Sequence, residues 1–342
     1  MQTKSPTIAD VADQAGVSTA TVSRCLNQPN KVKPDVRKKI LNAVNDLGYV
    51  PSGAARALAS RRTHTIGAVV PTIDNAIFAV AIQNLQSVLT QANYTLLLAS
   101  CTYSLNEELR EVNSLVSRGI DGIVLVGEMH HPKVYEIIEQ QEIPYVNLWI
   151  YNPESKYSCI GFDHIKAGEQ LAQHLLNLGH TEIGIISGFQ ETNDRALLRF
   201  QGIQQTLKKN NLVIPEERII ECHFSVEKAN KVVHKLLEEQ PEITAISCGN
   251  DVLAIGALSA AREKGLRVPE DLSITGFDNM GIIPFLSPAL TTVNSPSRRM
   301  GAKAGEYILN QIKNKSNQLE RIELNAELII RDTTSFAPNK SK

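Results

Sequence analysis

The chain has 342 residues, of which 42% are hydrophobic and 21% charged. This length suits about two domains with room for a small third, and the composition excludes disordered and fibrous classes. No apolar run approaches the roughly 20 residues that span a bilayer, and the first residues contain no apolar signal-peptide stretch. We therefore expect a cytoplasmic protein with no membrane partner.

Five cysteines are scattered along the chain without a CxxC pair. This spacing argues against a disulfide framework and against a zinc site. The sequence therefore predicts buried thiols.

The net charge of -1 is unevenly distributed. Residues 1–64 contain ten Lys/Arg against four Asp/Glu, so the remainder carries a net charge of -7. Such asymmetry indicates a small basic head that meets a polyanion and a larger acidic body with another task. A chance fluctuation of surface charge is the alternative.

The segment TIADVADQAGVSTATVSRCLN predicts two short helices joined by a tight turn. Thr7 is a suitable N-cap for the first helix, Gly16 ends it where the backbone needs a positive φ, and Ser18 caps the second. Ala12 allows the two helices to approach closely, and Val22 fills the core between them. This pattern is typical of a helix-turn-helix.

A third helix is predicted from Pro34, a favoured first helical position, to the residue before Gly48. The following SGAARALASRR is alanine-rich and basic, and Leu58 is its one large apolar residue. Because it is too short and polar to hold a helix alone, we predict a linker that becomes helical against a partner. An ordinary exposed helix is the alternative.

After His64 apolar strands alternate with helices. The predicted helices include Phe78–Ala92, Ile165–Leu178 and Leu253–Lys264, and the predicted strands are TIGAVV, YTLLLA, GIVLV, YVNLW, EIGIIS, RIIEC, TAIS and LSITGF. This alternation predicts an α/β fold with parallel sheets covered on both faces. The echo of GFDH in GFDN favours two similar lobes.

The expected organisation is a helix-turn-helix domain over 1–51, a hinge over 52–63 and a core over 64–335. Its first lobe is predicted over about 64–161 and 292–323, and its second over about 162–291 and 324–335. We expect the chain after Ile330 to be polar and loose, with a tail over 336–342. It has no leucine heptads, which argues against a tetramer formed through the tail.

No catalytic motif is found: the sequence has no P-loop, HExxH, GxSxG or dinucleotide fingerprint. We predict a solvated loop rather than a metal site at the adjacent His130 and His131, and a turn residue rather than a base at His180. The sequence thus predicts no enzyme, metal or cofactor, with an α/β enzyme carrying a regulatory head as one alternative.

A small molecule is expected between the lobes, where the carboxyl ends of parallel strands face one cleft. Arginines and carboxylates beside aromatic rings suit a polar ligand with hydroxyls or a carboxylate. For each residue alone, a structural ion pair or a core aromatic is the alternative. The candidates by position are Phe78, Trp149, Phe162, Arg195, Arg199, Asp251 and Asp278.

These motifs together closely resemble the LacI/GalR family of bacterial transcriptional regulators over nearly the whole chain. Besides the helix-turn-helix, the landmarks are LGYVPSGAARALASRRTHTIGAVVPTIDN, LLNLGHTEIGIISG, GNDVLAIGAL, GLRVPEDLSITGFDN and PALTTV. The resemblance implies a two-lobed core like that of periplasmic binding proteins. It also implies a homodimeric repressor that binds a pseudo-palindromic double-stranded operator under control of a sugar, sugar acid or related effector. A solute-binding protein with a basic extension is the alternative.

The resemblance carries specific residues with it. Thr19 and Ala20 match base-reading positions, Arg24 matches an arginine directed at DNA, and Leu58, with Ala55 beside it, matches a leucine wedged into the minor groove. The other expected DNA-binding residues are Thr7, Ser18, Thr21 and Asn27.

In the core, Phe78, Arg199, Phe224 and Asp278 match effector-contacting positions. Trp149 stands where many relatives have an aspartate, and NDRALLR differs from the pattern in purine and lactose regulators, so a purine or a simple galactoside is not implied.

Overall fold

The computed structural model describes residues 6–51, 53, 62–315 and 318–338. The chain divides into two compact units, Met1–Thr63 and His64–Lys342. No helix within the described ranges is long and apolar enough to cross a membrane. Ala55 and Leu58 lie outside the described residues, so the hinge helix stays a prediction.

The first unit contains three helices around one small core. They are α1 (Ile8–Ala15), α2 (Thr19–Asn27) and α3 (Pro34–Leu47), with a single 3₁₀ turn at Pro29–Lys31. The core side chains are Val11, Ala12, Val22, Cys25, Ile40 and Ala43. The predicted core roles of Ala12 and Val22 are therefore confirmed.

The predicted helix ends are also confirmed. Thr7 forms a reciprocal capping box with Asp10, and Ser18 accepts a hydrogen bond from the Thr21 amide. Gly16 and Gly48 both have φ near +62°, a conformation that glycine adopts without steric cost.

In the second unit, the first lobe is built on a six-stranded sheet. Its strands are β1 (Thr65–Val70), β2 (Thr95–Ser100), β3 (Gly122–Val126), β4 (Tyr145–Leu148), β5 (Cys159–Gly161) and β11 (Arg321–Glu323). They run parallel in the order β11-β5-β4-β3-β1-β2. The helices of this lobe are α4 (Ala76–Gln91), α5 (Leu105–Ser117), α6 (Pro132–Gln140) and α11 (Ser297–Asn314).

The second lobe repeats this plan. Its strands are β6 (Ile183–Ser187), β7 (Ile219–Glu221), β8 (Ala245–Cys248), β9 (Ser273–Asp278), β10 (Thr291–Asn294) and β12 (Glu327–Ile329). Their order is β12-β10-β9-β8-β6-β7, and β12 alone in this order pairs antiparallel. The helices are α7 (His164–Asn177), α8 (Asp194–Lys209), α9 (Val226–Glu239) and α10 (Asp251–Glu263), with 3₁₀ turns at Glu216–Arg218 and Ile283–Phe285.

The chain passes between the lobes three times, after β5, after β10 and after β11. The return of the chain to the first lobe, predicted at about residue 292, occurs after strand β10 rather than within it. Thr291–Asn294 pairs with β9 in the second sheet, so the crossing follows Asn294. Buried β-branched residues in this segment suit an inner strand, which explains why it stays in the sheet.

Close helix pairs cover the sheets. A Cβ on Gly202 of α8 would lie 2.1 Å from the Ile165 carbonyl oxygen of α7, and one on Gly301 of α11 would lie 2.0 Å from the Ala81 carbonyl oxygen of α4. These helices therefore pack backbone to backbone where a glycine stands. All five cysteines are buried free thiols, as predicted.

The prediction that the chain is loose after Ile330 is wrong for residues 331–338. Thr333 is fully buried, and its backbone and hydroxyl both bond to Ile274 of β9. Farther on, the Ala337 amide donates to the Leu178 carbonyl. The polar composition of this segment concealed its contacts because threonine and backbone groups, rather than apolar side chains, hold it to the second lobe.

Candidate nucleic-acid face and interlobe cleft

The first unit presents one exposed face of α2. Thr19, Ala20, Arg24 and Asn27 are all exposed, whereas Val22 is completely buried. Thr19 and Ala20 occupy the first turn, and Arg24 lies about one turn farther along. This face can therefore meet a partner without disturbing the core.

The other predicted DNA contacts serve the helix ends. The Thr7 hydroxyl donates to an Asp10 carboxylate oxygen at 2.7 Å, and the Ser18 and Thr21 hydroxyls lie 2.9 Å apart. These three side chains hold the starts of α1 and α2 in place. They thereby fix the helix that carries the exposed face.

A cavity of about 770 Å³, here called the outer chamber, lies between the two lobes. It is lined by segments that follow β1 and β2 in the first lobe and β6 and β7 in the second. This is the edge where carboxyl ends of parallel strands place ligand-binding groups. The lining includes Asp74, Asn75, Tyr103, Phe189, Glu191, Asn193, Glu221, His223 and Phe224.

Behind the chamber, Asp194 and Arg195 bridge the lobes. The Asp194 carboxylate, at the start of α8, accepts hydrogen bonds from the Glu128 amide at 2.6 Å and the Met129 amide at 3.1 Å. Arg195 Nη1 donates to Asp194 at 2.8 Å and to the Val126 carbonyl oxygen at 3.1 Å. Arg195, a predicted effector contact, is thus engaged by the protein itself.

Arg199 lies deeper and is 8% exposed. Its guanidinium stacks over the Phe277 ring at 4.1 Å, and its buried Nε has no hydrogen-bond partner among the described residues. Burial lowers the pKa of Arg199, and the nearby Asp278 carboxylate opposes that shift. An unpaired buried donor of this kind is costly unless a ligand completes it.

Two buried carboxyl groups accompany Arg199. Asp251 accepts hydrogen bonds from the Thr292 hydroxyl at 2.6 Å and the Met280 amide at 2.8 Å, and burial raises its pKa to about 7. Burial raises the pKa of Asp278 to about 8, while Arg199 acts in the opposite direction. Asp278, at φ +105°, also lines a second interlobe cavity of about 540 Å³.

The predicted aromatic contacts form a buried layer. Phe78 and Trp149 meet edge to face at 4.9 Å, and the Trp149 indole donates to the Ser295 hydroxyl at 3.2 Å. Phe162 lies 4.3 Å from the His164 ring and 5.9 Å from the Phe277 ring. These rings belong to the core that joins the lobes.

Phe224 is therefore the one predicted effector residue that lines the outer chamber. Sequence reasoning missed Tyr103, which faces Phe224 across the cleft at 5.5 Å. Tyr103 and Thr102 both have positive φ, a strained conformation for non-glycine residues. The one available indication was the position of Tyr103 just after a predicted strand.

Two histidine predictions had different outcomes. The solvated loop predicted at His130 is wrong, because its side chain is fully buried and its Nδ1 lies 2.7 Å from Glu108 Oε1. His180, by contrast, follows α7 as a buried structural residue that contacts Thr244 and the Ser335 carbonyl. Within the described ranges, no group of three or more His, Cys, Asp or Glu residues could hold a metal ion.

Two segments of the chain match known families. Residues 7–52 match "Bacterial regulatory proteins, lacI family", and residues 172–334 match "Periplasmic binding protein-like domain". The HTH-type transcriptional repressor PurR of Vibrio vulnificus strain CMCP6 is 34% identical over 330 residues, which cover 96% of this chain and 98% of the relative.

Solved structures with the same architecture include a lac repressor dimer bound to operator and the anti-inducer ONPF. It has a TM-score of 0.86 and 25% identity over 97% of this chain and 100% of its own. A LacI family transcriptional regulator from Enterococcus faecium with bound ribose has a TM-score of 0.70 and 25% identity, over 80% of this chain and 99% of its own.

Proposed function

The chain belongs to the lacI family of bacterial regulatory proteins, and from this premise we propose how its residues divide the work of a ligand-controlled repressor. The helical unit binds an operator, and a small molecule in the interlobe cleft changes the affinity of that binding. The observation that carries this division is the pairing of an exposed helix face in one unit with a ligand-sized chamber in the other.

On the DNA side, α2 acts as the recognition helix. The N-terminal turn of such a helix enters the major groove, where methyl groups contact thymine and arginine bonds to guanine. Thr19 and Ala20 offer a hydroxyl and methyl surface, and Arg24 offers the guanidinium. We assign thymine contacts to the first pair and a guanine contact to Arg24.

The linker between the two units is assigned to DNA binding as well. Two copies of the linker meeting on DNA would insert Leu58, with Ala55 beside it, between base pairs of the minor groove. Burial between bases would supply the apolar partner that a short alanine-rich helix lacks. A Leu58→Ala variant should therefore weaken operator binding and leave effector binding to the core unchanged.

On the effector side, the three crossings between lobes allow one lobe to rotate against the other. A ligand that contacts both lobes favours the closed arrangement by its difference in affinity for the two states. Arg199 and Asp278 would face the deep end of such a ligand, and Phe224 would face its outer part. No catalytic step is proposed for these residues, since the family consists of transcriptional regulators.

The operator complex is proposed to contain a homodimer. The lac repressor structure, which shares this architecture, is a dimer on its operator. A dimer with two-fold symmetry reads two half-sites, so the operator should be a pseudo-palindrome.

The test of DNA binding is a selection of genomic fragments by the purified chain at near-physiological salt. We expect enrichment of a short palindrome. Arg24→Ala should then weaken binding by about 1–3 kcal/mol and relax the preference at one base pair, as a lost guanine contact does. The matched control is Lys39→Ala, which removes the same charge from an exposed site on α3. Salt-sensitive binding without a preferred sequence would refute the proposal.

The test of effector control uses the selected operator and a panel of small metabolites. Arg199→Ala should retain operator affinity, because Arg199 lies in the core and not in the helical unit. It should lose the response to the active compound, because the guanidinium that would contact the ligand is removed. Arg262→Ala, an exposed arginine at the end of α10, is the control and should respond normally. Loss of operator binding in the Arg199 variant, with binding of the active compound intact, would contradict the division of labour.

A further inference from the structure

The charges around the outer chamber are of one sign. Asp74, Glu191 and Glu221 are exposed at its lining, and none forms an ion pair with another described residue. No lysine or arginine belongs to this lining. A ligand that enters the chamber therefore meets three carboxylates and no compensating cation, which disfavours an anion and favours a cation.

Two buried amide side chains offer hydrogen-bond donors at the chamber lining. Asn75 comes from the first lobe and is 7% exposed; Asn193 comes from the second and is 3% exposed. Their side-chain oxygens cap helices by accepting hydrogen bonds from the Ile77 and Ala196 amides. Both NH₂ groups have no hydrogen-bond partner in the described part of the chain. They can donate to hydroxyl or ether oxygens of a ligand.

Aromatic rings complete the chamber. Tyr103 and Phe224 come from opposite lobes with ring centres 5.5 Å apart, and Phe189 meets the His223 ring at 4.8 Å. Such surfaces pack against the apolar face of a saturated ring and attract ammonium groups. The rings therefore favour a cyclic ligand and add to the preference for positive charge.

The arginines behind the chamber do not reverse this preference. Arg195 is paired with Asp194, and it lines a separate void of about 20 Å³ together with Tyr103. Arg195 itself is not part of the chamber lining. Arg199 stacks over the Phe277 ring outside the chamber lining, so it would meet only the deep end of a ligand, beside the Asp278 carboxyl group.

We propose that the outer chamber selects a hydroxylated ring that carries an amino group, the chemistry of an amino sugar. The carboxylates hold the ammonium group, the two asparagines donate to ring hydroxyls, and the aromatic rings cover the apolar face. The location rests on the proposed function, which places the effector between the lobes. The charge of the lining opposes the sugar acid that remained open from the sequence.

The experiment compares sugars of the same ring configuration that carry an ammonium group, no charge or a carboxylate. Isothermal titration of the full chain at pH 6.5 and low salt uses D-glucosamine, D-glucose and D-glucuronate, and the corresponding galactose series. We expect the amino sugar of at least one series to bind about tenfold more tightly than its neutral counterpart, with the uronate weakest. The double variant Glu191→Gln/Glu221→Gln should bind the amino and neutral sugars alike. Glu217→Gln, an exposed glutamate outside the chamber, should behave as the parent.

Equal or tighter binding of the neutral sugar or the uronate would overturn the inference. Survival of the charge selectivity in the double variant would also overturn the inference, and so would the absence of binding by all six sugars. The same compounds are added to the operator complex as a separate readout. Selective binding of an amine without any change in operator affinity would support the chamber's chemistry and refute effector control. Control of operator affinity by a uronate alone would support effector control and refute the chamber's chemistry.

Discussion

The bridge made by Asp194 suggests that the core holds its own lobes together before any ligand binds. Asp194→Ala would remove the carboxylate that accepts from the Glu128 and Met129 amides of the opposite lobe. It would also leave the guanidinium of Arg195, 8% exposed, without its counter-charge. Breaking one partner of a buried ion pair costs about 3–5 kcal/mol. We expect a loss of that size in the free energy of unfolding.

The matched control is Asp163→Ala. Asp163 lies at the start of a helix as Asp194 does, but its carboxylate caps that helix by accepting from the Lys166 amide at 3.0 Å within α7 and reaches no other lobe. Loss of such a cap costs about 0.5–2 kcal/mol. Urea unfolding measures both variants, and small-angle X-ray scattering of the ligand-free proteins measures lobe opening. A loss of stability in Asp194→Ala no larger than in the control, with an unchanged radius of gyration, would show that Asp194 does not hold the lobes together.

Three further predictions concern the core. Because burial raises the pKa of Asp278 from 3.8 to about 8, its contribution to stability is present at low pH and is lost as pH rises through this range. Asp278→Asn should therefore flatten the decline of urea midpoints between pH 5 and pH 8, and an unchanged slope would contradict this. Gly202→Ala should destabilise the core by about 1–3 kcal/mol, because its Cβ would strike the Ile165 carbonyl; Gly281→Ala, with open space around it, should cost less in the same thermal melts. His180→Ala should free residues 331–338 from the second lobe, measured as faster amide exchange there; unchanged exchange would show that Thr333 suffices.

Local signals in the sequence are sufficient to predict the helices of the first unit and most helices and strands of the core. Thr7, Gly16 and Ser18 mark helix ends through their own backbone preferences, so neighbouring residues alone predict α1 and α2. Long apolar runs likewise predicted strands such as β3 and β9. By contrast, β5 and β11 contain three residues each, too few for a periodic pattern, and they pair only because distant segments bring them together.

The site shows the same limit at the level of side chains. The sequence placed Arg195 and Arg199 on one helix and assigned both to the ligand. It could not show that Asp194 and the Val126 carbonyl already occupy Arg195, since these contacts cross between lobes. Tyr103 was missed for a related reason: its position depends on an unusual backbone at residues 102 and 103, which no local preference predicts.

The late position of β11 and β12 in the chain has a consequence during synthesis. Each sheet receives an edge strand from residues after 320, so neither lobe can be completed until almost the whole chain has left the ribosome. The helical unit, by contrast, has its own core within the first 51 residues. We therefore expect premature termination before Arg321 to release an operator-binding fragment that no metabolite can control. In cells, this would be measured as residual repression that stays constant across all effector concentrations.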